Sequence, residues 1–448
     1  MKFQRLNRNE IYPIPVGDYF GKRKETCYLV YAPLKNQFFL ATPAQVEKLE
    51  ELLAANTTNE MLRQMIAIDS WDSPEVSVES FCTLHLLLNE KCNFHCKYCY
   101  SAEGRSSAEL TMEQIELMLD YFLSGDRRAV KNRTVMFMGG GEPMLSWPLV
   151  QTATLYAEQV AKEQGITLHL SLTTNGSIMD EQMLDFLKEH QFTVQISFEV
   201  LPDVQRKQRG NYEHVANNID RLTSLGINNY VRSTITENNV DRIPEMVDYC
   251  HEHFPLVKKL SCQQVVDPAY FTSKEIVDDF FLRYFKSYQE GMKRAEQYGI
   301  ALRSSSSHLL NYSKREQFCF NLVCLTPYGT LTLCPDVSSP SEADYGTSVI
   351  GELKADGIAF NQEAFSQLTR GSIHTIDKCR QCYARWNCGS GCPSSRRVYQ
   401  PEIFDAICNY YRKMLCHSLM EELARKHMIA TGNDFYEDIA TKLKNTNA

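Results

Sequence analysis

Three closely spaced cysteines are the feature of this sequence that points most directly to chemistry. Cys92, Cys96 and Cys99 lie in the stretch EKCNFHCKYCYSAEG, and the next cysteine is Cys250. A cubane iron–sulfur cluster has four irons and normally takes four thiolates. Three thiols would therefore leave one iron open to another molecule. A zinc site, or plain buried thiols, is the alternative interpretation of so short a motif.

A second series of cysteines follows in the last third of the chain. Its members, spaced C-x9-G-x4-C and then C-x2-C-x5-C-x3-C with one later thiol, are Cys319, Cys334, Cys379, Cys382, Cys388, Cys392 and Cys408. A zinc ribbon would explain CRQC at 379–382 but not the whole series. The cysteines without a partner spacing are expected to be buried thiols, and they are Cys27, Cys82, Cys250, Cys262 and Cys416.

A glycine-rich turn, MGGGEP at 138–143, follows the second predicted strand. Gly140 and Gly141 would let the backbone approach a ligand closely, and Glu142 would accept a hydrogen bond from a cationic amino group. Alone, such a motif is a turn from strand to helix. Its position one strand and helix after the three cysteines favours a ligand site instead.

The elements that must position these residues are apolar runs that alternate with amphipathic helices, a pattern typical of parallel strands. Strands are predicted at 84–88, 134–138, 167–172, 193–198, 230–235 and 259–266. Helices are predicted near 111–124, 147–164, 180–190, 211–225 and 240–253. Six repeats indicate an α/β fold with a partial (β/α)6 TIM barrel. The three cysteines follow its first strand, at the end where such barrels carry their chemistry.

The segments on either side of the barrel have a different character. Residues 1–78 are predicted to form a small α+β module with strands at 27–34 and 37–42, a helix capped by Thr42, a second helix at 59–68 and a linker at 69–77. Within 319–336 a hairpin turns at Tyr328 and Gly329, and a long helix covers 405–426. The predicted domains are 1–78, 79–309, 310–420 and a peripheral polar tail at 421–448.

Composition excludes several classes of protein. The hydrophobic share of 43% and the charged share of 23% are those of a globular chain. A net charge of −8 offers no basic surface to nucleic acid. We expect no membrane span, because no apolar run is long enough, and a cytoplasmic location, because no secretory signal is present. Disulfides are then not assumed for the sixteen cysteines, because cytosolic thiols stay reduced, and clustered cysteines there usually bind metal or react.

The CxxxCxxC motif, with Tyr98 before its last cysteine, resembles that of the radical S-adenosylmethionine (SAM) superfamily. The resemblance implies that the amino and carboxylate groups of SAM chelate the open iron. It assigns Gly140, Gly141 and Glu142 to the SAM amino group, Thr174 and Asn175 to the ribose, and Ser197 and Arg209 to the carboxylate. Many relatives have an aspartate–glycine pair where this chain has Glu199 and Val200, which makes the ribose contact there less secure.

The later cysteines resemble those of the SPASM domain, which carries two auxiliary [4Fe–4S] clusters in a subset of radical SAM enzymes. The resemblance implies that the second auxiliary cluster takes Cys379, Cys382, Cys388 and Cys408. The first would take Cys319, Cys334 and Cys392, with Cys324 as a candidate fourth ligand and a substrate or water as the alternative. The chain would then hold three [4Fe–4S] clusters and SAM.

The resemblance also implies an activity. A one-electron donor such as flavodoxin or ferredoxin reduces the cluster, SAM is cleaved, and a 5′-deoxyadenosyl radical abstracts hydrogen from a peptide or protein substrate. The 1–78 module resembles the winged-helix leader-binding element of maturases of ribosomal peptides, which favours oxidative formation of a thioether or carbon–carbon crosslink. The alternatives are a packing role for that module, an anaerobic sulfatase maturase that makes formylglycine, and a non-enzymatic iron–sulfur electron carrier.

Asp336 bears on the choice between crosslink formation and formylglycine formation. In sulfatase maturases an aspartate directly follows the cysteine that corresponds to Cys334, and it acts as a base. Here Pro335 intervenes, and a one-residue slip in an extended segment turns a side chain to the opposite face. We therefore predict that Asp336 is a turn-forming residue and not that base.

Overall fold

The computed structural model of the chain describes residues 10–55, 76–304, 314–319 and 321–445. The helix predicted at 59–68 and most of the linker predicted at 69–77 lie outside these ranges. The first unit is a three-stranded antiparallel sheet in the order β1 (Tyr12–Pro15), β2 (Tyr28–Ala32), β3 (Gln37–Ala41), followed by helix α1 (Pro43–Ala54). Thr42 begins α1 through a capping box with Gln45, as its sequence position predicts.

An eleven-stranded sheet forms the centre of the molecule. Its first six strands are parallel neighbours, namely β4 (Thr83–Leu87), β5 (Asn132–Met138), β6 (Thr167–Thr174), β7 (Thr193–Ser197), β8 (Asn229–Ile235) and β9 (Lys259–Gln264). The intervening helices are α2 (Met112–Leu123), α3 (Trp147–Glu163), α4 (Glu181–Glu189), α5 (Pro202–Gln208), α6 (Tyr212–Ser224) and α7 (Ile243–His253). The six predicted strands and the five predicted helices are all present close to their predicted bounds.

The sheet extends beyond the six predicted strands at both edges. After the long helix α8 (Lys274–Tyr298), strand β10 (Ala301–Arg303) pairs in parallel with β9. On the opposite edge β11 (Leu322–Leu325) pairs in parallel with β4, so the parallel part has eight strands among the described residues rather than six. Sequence analysis missed β10 because it has three residues. It predicted β11 as a strand of the hairpin within 319–336, which is confirmed, but not its pairing with β4.

The C-terminal part continues the sheet. Strands β12 (Thr330–Thr332), β13 (Val349–Lys354) and β14 (Gly357–Phe360) are antiparallel, and the predicted hairpin turn contains Gly329, whose φ is +72°. The helices of this part are α9 (Tyr345–Ser348), α10 (Gln362–Thr369), α11 (Arg385–Cys388), α12 (Pro393–Val398), α13 (Pro401–Thr431) and α14 (Phe435–Asn445).

Alternation along the strands fixes which side chains face the helices. In β4, Leu84 and Leu86 belong to the large hydrophobic core, whereas Leu87 packs with Met138 of β5 and Cys324 of β11 in a separate small cluster. Successive side chains of a strand point to opposite faces of the sheet. Cys324 therefore lies on the concave side of the sheet with Leu87, away from the surrounding helices.

The structure corrects the prediction that residues 421–448 form a peripheral polar tail. Helix α13 continues to Thr431, and α14 packs on the N-terminal unit, where the rings of Phe435 and Phe20 are 6.0 Å apart. Phe435 and Leu443 are buried in one cluster with residues of β1, β2 and α13. A few apolar residues spaced along a polar helix suffice to bury one face.

None of the helices in the described part combines the length and apolarity needed to cross a bilayer.

Candidate functional site

The loop that leaves β4 carries three half-buried thiols at the C-terminal edge of the parallel strands. We call Cys92, Cys96 and Cys99 the barrel thiols. All sixteen cysteines lie in the described ranges, and each is a free thiol. The barrel thiols are close enough for their charges to interact, and burial raises the pKa of both Cys92 and Cys96. Three free thiols on one loop can ligate a metal cluster without rearrangement of a disulfide.

Each barrel thiol faces a side-chain nitrogen donor, and two of the three donors come from other segments. Asn175 Nδ2 lies 4.0 Å from Cys92 Sγ, Arg209 Nη1 lies 3.6 Å from Cys96 Sγ, and Arg105 Nη2 lies 3.0 Å from Cys99 Sγ. Donors and positive charge near thiolates stabilise a negatively charged cluster. Sequence analysis predicted a site role for Asn175 and Arg209 but missed Arg105, because an isolated basic residue after the motif carries no distinguishing pattern.

The glycine turn after β5 lies against this loop. Gly141 N–H donates to Asn89 O at 2.9 Å, and a Cβ atom at Gly141 would lie 1.9 Å from Lys91 O. Only glycine permits so close an approach of two backbone segments. Arg105 also donates to Gly140 O. The sequence-predicted residues Gly140 and Gly141 are thus adjacent to the barrel thiols.

Glu142 and the residues after β6 form one buried network. Glu142 Oε1 accepts hydrogen bonds from Thr174 Oγ1 at 2.7 Å and from Met144 N–H at 3.1 Å, and Oε2 accepts from Asn175 N–H at 2.7 Å. Burial raises the pKa of the Glu142 carboxyl, and these three hydrogen bonds oppose that rise. The predicted ligand residues Glu142, Thr174 and Asn175 therefore lie together, with Asn175 bridging to Cys92.

Glu199, after β7, organises the opposite side of the site. Its carboxylate is fully buried and accepts from Arg209 Nε at 2.8 Å, from Ser233 Oγ at 2.6 Å and from the hydroxyl of Tyr98. The guanidinium of Arg209 also lies 5.2 Å from the centre of the Tyr98 ring. Glu199 therefore holds two predicted site residues, Tyr98 and Arg209, beside the barrel thiols. Ser197 is the last residue of β7, directly before this network.

A strained turn sets the direction of the Glu199 side chain. Val200 has a φ of +64°, and Leu201 N–H donates to Glu199 O at 2.7 Å across it. A β-branched residue in this region of φ costs on the order of 1–3 kcal/mol. Glu199 and Val200 stand where many relatives have an aspartate–glycine pair, and they form the tight turn at a cost in backbone strain. Glu199 serves within the protein as an anchor for Arg209.

The C-terminal cysteines fall into two groups, which we call the outer and the inner thiols. The outer thiols are Cys379, Cys382, Cys388 and Cys408, and the inner thiols are Cys319, Cys334 and Cys392. Burial, with the neighbouring Cys382 and Cys408, raises the pKa of Cys379 to about 11. Burial, with Cys392, raises the pKa of Cys319 to about 12. The grouping is the one that the SPASM resemblance implies.

Two further side chains lie beside the inner thiols. Cys324 is fully buried, and its charge would interact with those of Cys319 and Cys334. Asp336 is in a turn in which Val337 N–H donates to Cys334 O at 3.2 Å, with Pro335 at the second position. Proline is favoured at that position of a β-turn. The premise that Asp336 continues an extended segment is therefore wrong, while its predicted place in a turn is confirmed.

The turn brings Asp336 into the interior of the molecule. Burial raises the pKa of its carboxyl, and the nearby charge of Arg232, at the end of β8, opposes this. Tyr100, which follows the barrel thiols, has Asp336 as an electrostatic neighbour, although half of its side-chain surface (50%) is accessible. Asp336 therefore lies beside the inner thiol Cys334 and near Tyr100, the residue that follows the barrel thiol Cys99.

The thiol groups suit a polynuclear cluster better than a single ion. Within the described ranges, no three His, Cys, Asp or Glu side chains converge closely enough to hold one metal ion. Structural zinc needs four ligands at about 2.0–2.3 Å from one centre. A cubane instead takes its thiolates at separate corners. The free thiols and the nitrogen donors beside the barrel thiols are of the kind that iron–sulfur clusters use.

Comparison with known families supports this interpretation. Residues 86–250 match the Radical SAM superfamily. The radical SAM cyclopropyl synthase TigE of Paramaledivibacter caminithermalis is 21% identical over 234 residues, which cover 48% of this chain and about half (48%) of that protein. The cysteine-type anaerobic sulfatase-maturating enzyme of Clostridium novyi is 21% identical over 337 residues, which cover 70% of this chain and 87% of the relative.

Solved structures share the fold. A structure of anSMEcpe with bound AdoMet and the Cp18Cys peptide has a TM-score of 0.54 at 16% identity, and the match covers 75% of this chain and 99% of the other. SuiB of Streptococcus suis bound to its precursor peptide SuiA has a TM-score of 0.52 at 12% identity, with 85% and 95% covered. At these identities the likeness concerns the fold of the chain.

Proposed function

We propose that this chain, whose residues 86–250 form a radical SAM domain, is an enzyme that oxidatively modifies a ribosomally made peptide. The observation that supports the proposal most is the barrel-thiol loop. It meets the Gly140 turn, Asn175 and Arg209 at one edge of the parallel sheet. A purely structural or electron-carrying cluster would not need an incomplete ligand set beside a glycine cradle.

The cluster and SAM would together supply a reductively generated 5′-deoxyadenosyl radical when bound at the barrel thiols. The protein's part is to orient SAM and to enclose the radical. The backbone at Gly140 and Gly141 would receive the SAM amino group, and Ser197 and Arg209 the carboxylate. Glu199 keeps Arg209 in place, because its carboxylate is fully buried and accepts from Arg209 Nε at 2.8 Å.

Two auxiliary [4Fe–4S] clusters complete the proposal. The outer thiols would hold one cluster, and the nitrogen of Arg412 that lies 3.9 Å from Cys382 Sγ would stabilise its charge. The inner thiols would hold the other, with Cys324 as a candidate fourth ligand. Such clusters can accept the electron left when a substrate radical closes to product. A flavodoxin or ferredoxin in the same cytoplasmic compartment would supply the reducing electron.

A peptide substrate is supported by two similar solved structures. SuiB is solved with its precursor peptide SuiA, and anSMEcpe with a peptide. TigE is named as a radical SAM cyclopropyl synthase. In this chain, β3 lies at the edge of the N-terminal sheet, where an extended leader segment could add as a further strand.

Formation of formylglycine by an anaerobic sulfatase maturase is the second candidate function. The surroundings of Asp336 support it, because its carboxyl lies beside the inner thiol Cys334 and near Tyr100, the residue that follows the barrel thiol Cys99. The product distinguishes the two functions. A crosslink leaves the peptide resistant to alkylation or joined within itself, whereas formylglycine yields an aldehyde that reacts with hydrazides.

The test is SAM cleavage by the reconstituted protein with dithionite, with and without the three substitutions Cys92→Ala, Cys96→Ala and Cys99→Ala. We expect the triple variant to retain about two-thirds of the iron, as three equal cubanes require, and to form no 5′-deoxyadenosine. The matched control is Cys250→Ala, which removes a buried thiol outside the three groups. Cleavage of SAM by the triple variant would refute the assignment of the barrel thiols. No cleavage by the wild-type protein would refute the proposal in favour of an electron carrier.

A further inference from the structure

Several buried oxygen atoms without a hydrogen-bond partner converge behind the glycine turn. Among the buried side-chain atoms of the described residues that lack a partner, four are Glu90 Oε1, Glu90 Oε2, Ser338 Oγ and Glu342 Oε1. Glu90 and Ser338 are completely inaccessible to solvent. A buried carboxylate without a partner costs several kcal/mol, so such a group calls for a compensating ligand.

Two of these oxygens approach each other beside Gly104. A Cβ atom at Gly104 would lie 3.0 Å from Glu342 Oε1 and 3.4 Å from Glu90 Oε2, so both oxygens lie close to this glycine. A Cβ atom at Gly140 would lie 2.0 Å from Glu90 Oε2. The absence of side chains at Gly104 and Gly140 is therefore what admits the two carboxylates. Ser338 lies beside the Glu90 carboxylate without completing a well-aligned hydrogen bond.

The surrounding groups leave the space negatively charged. Glu342 Oε2 is used by Ser338 N–H at 2.7 Å and Ser339 N–H at 3.1 Å, so only its Oε1 is open. Arg105 is the nearby cation, but its two terminal nitrogens donate to Cys99 Sγ and Gly140 O. Asp336 and Glu103 add further negative charge near Glu342. The charge of Arg105 acts on Glu90, but within the described residues no side-chain cation donates a hydrogen bond to either Glu90 oxygen.

We propose that Glu90, Ser338 and Glu342 bind a divalent hard cation of the calcium type. The donors are oxygens, two of them carboxylates whose charges a divalent ion would neutralise. Calcium accepts mono- or bidentate carboxylates in irregular geometry, whereas magnesium demands a near-ideal octahedron and keeps several waters. The surroundings of Glu90 are closed to solvent, which suits calcium better than magnesium. Backbone carbonyl groups would complete the shell.

The site would join two parts of the fold. Glu90 belongs to the loop after β4 that carries the barrel thiols, and Ser338 and Glu342 follow β12 and the inner thiol Cys334. The ion would thus fix the spacing between the two thiol groups. This role does not depend on the nature of the peptide product, and its test uses no turnover.

The experiment is equilibrium dialysis of the reconstituted, iron-loaded protein against 45Ca2+ in anaerobic, chelator-treated buffer. We expect one tightly bound Ca2+ per chain, at least tenfold weaker binding for Glu342→Gln, and unchanged binding for the control Glu189→Gln, an exposed glutamate at the end of α4. Ser338→Ala should weaken Ca2+ binding less, because it removes a neutral oxygen ligand rather than a charged carboxylate. Iron content and the visible spectrum verify that each variant is folded.

Thermal unfolding tests the direction in which Ca2+ and the substitution change the melting temperature. Without Ca2+, Glu342→Gln should melt at or above the wild-type temperature, because one of two facing carboxylates is neutralised. With Ca2+, only the wild-type protein and Glu189→Gln should gain stability. No bound Ca2+ at millimolar concentration, or equal binding by Glu342→Gln, would overturn the site. An equal gain of stability in K+ or Mg2+ would overturn its assignment to calcium.

Discussion

Glu199 is the residue on which the arrangement of the predicted SAM site depends most. Its carboxylate is fully buried, and it joins Arg209, Tyr98 and Ser233 through separate hydrogen bonds. The backbone N–H of Thr234 adds a fourth at 3.0 Å. A buried carboxylate with all its acceptor positions used holds its partners in one geometry, and each of them loses orientation when it is removed.

Replacing this carboxylate tests its role. Glu199→Gln should lower the free energy of unfolding by about 3 kcal/mol, because it leaves the buried Arg209 guanidinium without its counterion. The affinity for SAM, measured by calorimetry on the iron-loaded protein, should fall at least tenfold. Glu245→Gln is the control, since Glu245 pairs with Arg242 at the surface and such pairs contribute about 1 kcal/mol or less. Equal losses in the two variants would contradict a special role for Glu199.

At the scale of elements, strand β3 leaves one backbone edge of the N-terminal sheet open to an added strand in the described part of the chain. Strand β3 pairs with β2 on one side, and within the described ranges no strand covers its other side. The two faces of β3 are already used, because Phe38 packs toward α13 and Phe39 toward α1. An added strand would therefore gain its hydrogen bonds from the exposed backbone edge.

Amide hydrogen exchange can test this edge without altering the protein. Addition of the leader peptide of a small precursor encoded beside the gene should slow exchange in β3 and leave β1, the opposite edge, unchanged. Truncation of the module would be a poorer test, because Tyr12, Leu29 and Tyr31 are buried against α13. Protection confined to the barrel, or to β1, would show that the leader binds elsewhere and that the module has a packing role.

At the scale of the whole molecule, a buried ion pair joins the N-terminal module to the C-terminal cysteine-rich part. Glu10 Oε1 accepts from Arg385 at 2.6 Å, and Glu10 Oε2 accepts from Trp386 Nε1 at 2.9 Å. Both charged side chains are at least nine-tenths buried. Arg385 and Trp386 share helix α11 with Cys388, one of the outer thiols. The N-terminal module therefore supports the C-terminal cysteine-rich part.

Breaking this pair should affect the outer thiols more than the barrel thiols. Glu10→Gln should lower the free energy of unfolding by about 3 kcal/mol, because an uncompensated Arg385 remains buried. A chelator should then remove about one-third of the iron faster than from the wild-type protein, if three equal clusters are present. Glu47→Gln, an exposed residue of α1, is the control. Uniform iron loss from all clusters would show that the ion pair has no local role there.

Local patterns determined much of the fold and of the site. Side-chain periodicity located the strands β4 to β9 and the helices between them, and the capping residue Thr42 located α1. Spacing alone singled out the barrel thiols. These features depend on residues close in sequence, where hydrogen bonding and side-chain direction follow directly from residue type.

Only the tertiary structure decided the rest. Strand β11 joins the barrel beside β4, α14 packs on Phe20, and the turn at Pro335 directs Asp336 inward. Each contact joins segments distant in sequence, or depends on a turn whose direction a strand pattern does not encode. The opposed carboxylates of Glu90 and Glu342 arise in the same way, because neither residue has a neighbour in sequence that signals the other. Long-range pairing is set by packing of the whole chain, so residue spacing carries no information about it.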